Sequence, residues 1–219
     1  MHQIRLSPEV RACAWKPHGF QSAGGSDPTA CPTASLLIAQ LGTAHRKRIS
    51  AHLLSLPAED RRLRFGYTIS DTSVAAYVRS LRFSRDAAFG GFDGEGHLLA
   101  FAHLAFDSDQ HSAELGLSVA PVARRRGVGL ALLDRAATHT RNRGRNSLVM
   151  AYVPENEALA SLARRAGMQL THDPVEPRAY LSLEAATPAS LLQEAFGEAI
   201  AALDLGFRVG NAASPPTSA

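Results

Sequence analysis

The run from Ala113 to Asn142 constrains the fold of this chain more than any other. A strand-like segment, Ala113-Glu114-Leu115-Gly116-Leu117-Ser118-Val119, leads through Ala-Pro-Val-Ala into Arg124-Arg125-Arg126-Gly127-Val128-Gly129. An amphipathic helical pattern follows at once, to about Asn142. Gly127 and Gly129 let backbone N–H groups approach a ligand with no Cβ in the way. The helix start adds unpaired donors and partial positive charge, which suit a phosphate or pyrophosphate. The three arginines add forked donors. The turn is not a Walker A loop, since no Gly-Lys-Ser/Thr follows, and its glycines lack the spacing of a dinucleotide fingerprint. An ordinary strand–helix turn under a basic surface cluster uses the same residues. The strand and helix on either side favour an anion cradle.

Patterning organises the rest. Residues 35–41 read as a first strand and Thr43–Ser55 as a helix. Pro57 opens a second helix with Glu59 and Asp60 in its first turn. Asp71–Leu81 is a third, capped by Ser70 or Asp71. Ala87–Phe92 and Leu98–Phe106 are strands joined by Asp93-Gly94-Glu95-Gly96, where Asp-Gly signals a hairpin. Ser147–Val153 reads as a strand buried on both faces. Asn156–Ala166 is a helix with Leu159, Leu162, Ala163 and Ala166 inward and Gly167 at its C′ position. Two short strands, 168–171 and 179–183, flank a Pro-containing loop. A last helix from Thr187-Pro188 carries Leu191, Leu192, Ala195, Ala199 and Leu203 on one side, for packing on the domain or on a second subunit.

The strand–helix–strand–helix unit over 113–167 requires a right-handed crossover and parallel pairing, whereas the hairpins before it require antiparallel pairing. The expected class is therefore α/β (α+β), with a mixed, mostly antiparallel sheet flanked by helices. Residues 1–34 read as a flexible leader, 35–184 as the folded domain, and 185–219 as a C-terminal helix with a frayed tail.

Several function classes fall away. The 45% hydrophobic and 20% charged residues are those of a soluble globular chain. No apolar run approaches the roughly 20 residues of a membrane span, and the first residues hold no secretory signal. Cys13 and Cys31 make no disulfide framework, so a cytoplasmic location is expected. A net charge of +3 admits an anionic ligand but gives no basic nucleic-acid footprint. The nine histidines include no HExxH, so no metal is expected. No Gly-x-Ser-x-Gly elbow is present.

Arg124-x-x-Gly127-x-Gly129 after Val119-x-Pro121 resembles the acyl-CoA pyrophosphate loop of the GNAT N-acetyltransferase superfamily. Asn156 to Met168 is similar to that family's Asn-x-x-Ala-x-x-Leu-Tyr-x-x-x-Gly-Phe motif, with Leu159 in the Ala position and Met168 for Phe. The resemblance covers roughly residues 35–184. Leu56–Phe65 and Leu162–Gly167 are similar to stand-alone bacterial domains related to protein lysine acetyltransferases. It implies a GNAT fold whose strands at 113–119 and 147–153 splay apart to admit pantetheine. The implied reaction moves an acetyl group from acetyl-CoA, the co-substrate, to a primary amine.

On this resemblance Leu117, Ser118 and Val119 supply the backbone donor that polarises the thioester. Arg124, Arg125, Arg126, Gly127, Val128 and Gly129 hold the pyrophosphate, and Asn156 holds the pantetheine arm. A plain helix N-cap at Asn156 is the competing role. Glu114 stands where the family often has its base; its other reading is a solvated charge at a strand end. His103 and His111 also titrate near neutrality, although His103 in an apolar strand equally suits a packed residue. Ala163 replaces the Tyr that in the family often protonates the departing thiolate, with Tyr152 and Tyr180 as substitutes.

The resemblance also implies that the acceptor, an amine-bearing small molecule or a protein lysine or N-terminus, lies between two groups of charges, whose other reading is a pair of solvated faces. Arg46, Lys47, Arg48, Arg61, Arg62 and Arg64 form one, and Asp173 and Glu176 the other. The chain would act as a monomer or homodimer, without nucleic acid or membrane. A non-catalytic acyl-CoA-binding module is the alternative, with nucleic-acid binding third.

Overall fold

In the computed structural model, which describes residues 36–106, 111–171, 173 and 176–212, one sheet organises the chain. Its strands are β1 Leu37–Gln40, β2 Ala87–Phe92, β3 Leu98–Phe106, β4 Ser112–Val119, β5 Ser147–Ala151, β6 Gln169–Leu170 and β7 Arg178–Ser182, in the order β1-β2-β3-β4-β5-β7-β6. Every neighbouring pair is antiparallel except β4–β5. The helices are α1 Arg46–Ser55, α2 Ala58–Phe65, α3 Asp71–Ser80, α4 Val128–Asn142, α5 Glu157–Arg165 and α6 Pro188–Ala212. The mixed, mostly antiparallel class is as the patterning predicts. The leader at 1–34, the 107–110 link and the tail from 213 lie outside the described residues.

Local chemistry sets most boundaries. Ser70, not Asp71, caps α3, its Oγ accepting from the Ser73 N–H at 3.1 Å. α2 starts behind Pro57 and stops at Gly66, whose φ of 83° only glycine adopts at little cost. The β2–β3 hairpin corrects the Asp-Gly reading. Gly96, not Gly94, has the positive φ, and the Asp93 carboxylate accepts from the Glu95 and His97 N–H groups, each at 2.9 Å. The link is thus a longer turn built on an aspartate side chain, not a two-residue type I′ turn.

The sheet separates two apolar layers. On one face Phe89, Leu104 and Leu115 meet Leu132, Leu133 and Ala136 of α4. On the other, Phe92 and Phe101 meet Ile49 and Leu53 of α1 with Val74 and Val78 of α3. In α4 the inward residues include Leu132, Leu133, Ala136, Ala137 and Thr140, while Leu130 is half-buried. In α5 Ala160, Ala163 and Ala166 are buried, and Leu159 and Leu162 are half-buried. β5 ends at Ala151, two residues short of the expected Val153.

Helix α6 packs against β1 and α4 by the side opposite to its Leu191–Leu203 stripe, so of the two uses expected for that stripe, packing on the domain is not the one found. Leu191, Leu192 and Leu203 are exposed, as are Ala195 and Ala199, whereas Ser190, Ala201 and Leu205 are buried. The reason is electrostatic. Glu194 accepts hydrogen bonds from Arg135, His139 and Asn142 of α4, and Arg135 also pairs with Glu198, which fixes the polar side inward. No helix among the described residues is long and apolar enough to cross a membrane.

Candidate functional site

β4 and β5 part company early. Their register runs Ser112↔Ser147, Ala113↔Leu148 and Glu114↔Val149, and β4 then continues to Val119 without a strand on that side. The Ala120 N–H donates to the Leu99 carbonyl at 2.8 Å, so residue 120 faces β3. Antiparallel ladders alternate, which turns Val119 and Leu117 toward the open edge. Arg124 Nε donating to the Val119 carbonyl at 3.2 Å fits that direction. The wedge is a cleft of about 900 Å³, walled by β4, the turn after it, α5 and α2. Leu117, Ser118, Val119, Gly127, Gly129 and Asn156 all line it.

The turn after β4 leads straight into α4. Gly127 is the N-cap of α4 at φ 79°, with no side-chain cap. The first helical bond is Ala131 N–H to the Gly127 carbonyl at 3.0 Å. Val128, Gly129 and Leu130 therefore have no intrahelical acceptor for their N–H groups. Arg125 adopts a left-handed φ of 59°, a strained choice for a side-chain-bearing residue. The arginines differ in role. Arg124 pairs with Asp60 of α2 at 2.6 Å, Arg125 is exposed and lines the cleft, and Arg126 is exposed and does not line it. A Cβ on Gly129 would meet Leu162 at 3.4 Å and Val119 at 3.7 Å, ordinary contact distances. The protein's own packing does not demand glycine here.

Asn156 caps α5, its Oδ1 accepting from the Leu159 N–H at 3.0 Å. It also lines the cleft, so both roles open to it in the sequence are compatible. Asn156→Ala is expected to cost about 1 kcal/mol of stability through the lost cap. It should also weaken CoA binding, measured by calorimetry beside thermal melts. A fall in melting temperature with unchanged affinity would leave only the cap.

The other face of β4 carries Glu114, Gly116 and Ser118, since Ala113 and Leu115 point to the α4 layer. Here the Arg64 guanidinium lies flat on the strand: a Cβ on Gly116 would come within 2.1 Å of its Nη2. Arg64 donates to Tyr77 Oη at 3.2 Å and stacks near Phe65, and no carboxylate among the described residues pairs with it. Tyr77 Oη bonds His103 Nδ1 at 3.0 Å, and Asp86 Oδ2 lies 3.7 Å from His103 Nε2. Burial, then Arg64, lowers His103 to about 4, against an opposing pull from Asp86. His52 shares a 2.9 Å bond with Ser118 Oγ, and burial, with a smaller push from Arg64, lowers it also to about 4. Both imidazoles are neutral at pH 7. Burial raises Tyr77 above the ordinary phenol value.

The candidate proton acceptors separate by position. Glu114 is exposed, beyond the residues that line the cleft but on the face of Gly116 and Ser118. His103 sits across from Gly116 in the β3–β4 register. His111 precedes β4, six residues from Leu117 and so roughly 20 Å away along an extended strand. Ala163 is fully buried, so no proton donor reaches the cleft from there. Tyr152 Oη donates to the Thr171 carbonyl at 3.5 Å, and neither it nor Tyr180 lines the cleft.

Of the basic residues expected around an acceptor, Arg46 holds carbonyls of Val78, Arg79 and Leu81, and Arg48 that of Gly96. Arg61 pairs with Asp71 and Arg62 with Glu59, while Lys47 is exposed. Only Arg64 of that group lines the cleft. Asp173 accepts from the Glu176 N–H at 3.1 Å, and Glu176 pairs with Arg178. Tyr77 and His52 carry no sequence signal; tertiary contact brings them to β4, as it brings Arg64, already named among the acceptor-side charges, to Gly116 and Asp60 to Arg124. His139, Glu194 and Glu198 approach metal-ligand spacing, but Arg135 already bridges the two carboxylates.

The sequence profile of the acetyltransferase (GNAT) family matches residues 56–168. No curated protein matches the chain. The GNAT domain of PAT from S. lividans superposes with a TM-score of 0.59 at 18% identity, over 68% of this chain and 90% of that one. Salmonella typhimurium yncA, solved with its cofactor acetyl-CoA, gives 0.52 at 18% identity over 70% and 98%. Spermidine N-acetyltransferase from Vibrio cholerae, in complex with CoA and spermine, gives 0.54 at 15% identity over 67% and 95%. At these identities the likeness is one of fold.

Proposed function

The chain belongs to the acetyltransferase (GNAT) family and is an acyltransferase, and from that premise we propose that it transfers an acetyl group from acetyl-CoA to a primary amine, by direct attack in a ternary complex. One observation carries this reading: β4 runs on past Glu114↔Val149 and offers its unpaired edge beside an uncapped helix N-terminus. An extended arm bearing amides, such as pantetheine, adds to such an edge as a strand would. The N–H groups of α4 then suit the pyrophosphate. Acetyl-CoA and CoA, the ligands named with the Salmonella and Vibrio proteins, support the assignment.

Bound acetyl-CoA supplies a thioester carbonyl to the amine. The Leu117 or Val119 N–H donates to that oxygen as negative charge grows on it. Glu114 accepts the amine proton through water, with neutral His103 as second candidate. A thiol with pKa near 8.5 leaves tolerably without an acid, so buried Ala163 does not prevent turnover. The unpaired charge of Arg64 weighs against polycationic acceptors and toward amines on a neutral or anionic body. We place the reaction in the cytoplasm and in residues 35–184, with no metal taking part.

Calorimetry with acetyl-CoA, CoA and ATP tests the reading. Acetyl-CoA and CoA should bind and ATP should not. Failure of all three removes it, and binding without turnover on any amine leaves a CoA-binding module. Glu114→Gln is expected to lower turnover roughly 10²-fold, the scale of a general base, across the pH range in which the wild type is active. CoA affinity should hold, since Glu114 does not line the cleft. His103, lowered to about 4, should contribute no inflection between pH 5 and 8. Wild-type turnover in Glu114→Gln would pass the proton to His103 or to solvent.

A further inference from the structure

Helix α6 is amphipathic in the inverted sense. Its charged residues turn to its own domain or to each other: Glu194 and Glu198 to Arg135, Arg208 to Asp204 and the Asp93 carbonyl. Its other large apolar residues up to Phe207, buried Leu205 apart, face out. Leu192, Phe196, Ile200, Leu203 and Phe207 are 60–71% exposed, and Leu191 is 47% exposed. The steps 192, 196, 200, 203 and 207 make one stripe along the helix. With aromatic side chains presenting 150–250 Å² each, these six residues leave roughly 800 Å² in water, one partner's share of a standard interface.

We propose that this face is a homodimer contact, in which α6 of one chain packs on α6 of a second copy across a two-fold axis. The surface suits itself. Exposed Ala195, Ala199, Ala202 and Gly206 lie between the large side chains, so knobs of one copy find holes in the other. No unengaged charge interrupts the stripe, so two copies meet without repulsion. A lipid surface fits less well, because a helix lying on a membrane carries Lys and Arg along its polar side. The sole basic residue of α6 is Arg208, held by Asp204 and the Asp93 carbonyl.

Sedimentation velocity on the full chain over a concentration series tests the assignment. The expected species has twice the 23.3 kDa chain mass. The double substitution Phe196→Glu with Ile200→Glu, and separately Leu203→Lys, should each weaken the dimer at least 100-fold while far-ultraviolet circular dichroism and CoA affinity hold. Deletion of residues 1–35 should leave the dimer intact. A monomeric wild type overturns the proposal, whether the face then binds anionic vesicles or nothing. So does a dimer that survives both sets of substitutions, or one that is lost with residues 1–35 alone.

Discussion

Gly129→Val is expected to abolish measurable CoA binding, and Gly129→Ala to weaken it by roughly tenfold or more, a loss of about 1.4 kcal/mol or greater. The argument separates the protein's needs from the ligand's. Gly129 stands at the second position of α4 with no positive φ, and a Cβ there touches Leu162 and Val119 only at contact distance. Alanine in place of a helical glycine should raise stability by about 0.4–1 kcal/mol, by restricting the unfolded chain. Affinity and melting temperature should therefore move in opposite directions in Gly129→Ala. Gly127 cannot give so clean a test, because its φ of 79° strains any replacement. Calorimetry beside thermal melts decides it. Wild-type CoA affinity in Gly129→Val would remove the cradle from the site and leave the turn a structural one.

The largest loss of stability is expected at Glu194. Burial would raise its pKa, but hydrogen bonds from His139, Arg135 and Asn142 outweigh burial and bring it to about 2. Its side chain is only 10% exposed. A carboxylate whose folded pKa lies below its unfolded value stabilises the fold fully above the unfolded value, near 4.5. That contribution is lost as pH falls through about 2. It amounts to about 3 kcal/mol at most, at 1.36 kcal/mol per unit.

Glu194→Ala removes the centre of the cluster and leaves His139 and Arg135 with less compensation, at a cost of about 3 kcal/mol. That corresponds to roughly 6–12 °C in melting temperature for a chain of this size. The acid sensitivity between pH 4.5 and 2 should shrink with it. If Glu194→Ala melts like the wild type, the ion pairs do not hold α6 to α4, and some other contact orients the helix.

The parts of the site that were legible in the sequence are those made by neighbours along the chain. Ser70 and Asn156 bond N–H groups three residues on, and Gly66 and Gly167 close their helices within one turn. Gly127, at φ 79°, makes the turn into α4 within a single strand–helix junction. Such interactions depend on residue type and spacing, so a linear reading recovers them. The Asp93 hairpin shows the limit. Asp-Gly marked the right place, but the aspartate side chain chose a different turn by bonding two N–H groups.

What only the tertiary structure decided is which distant groups meet. Arg64 lies on Gly116, His52 bonds Ser118 and Arg124 reaches Asp60, each pair brought together by chain folding rather than spacing. The end of β5 pairing at Val149, which opens the wedge, depends on how two strands diverge and leaves no local mark. Helix α6 gives the plainest case. Periodicity in sequence establishes that a helix has two faces, and burial of the apolar one is the default. Here Arg135 and His139, more than fifty residues away, bind the charged face and turn Leu191, Leu192, Leu203 and both phenylalanines outward. By itself the sequence determined the glycine turn, the caps and the alternation of faces, because those follow from bonds a few residues long. The partner of each face was settled by contacts whose energies exist only once the chain has folded.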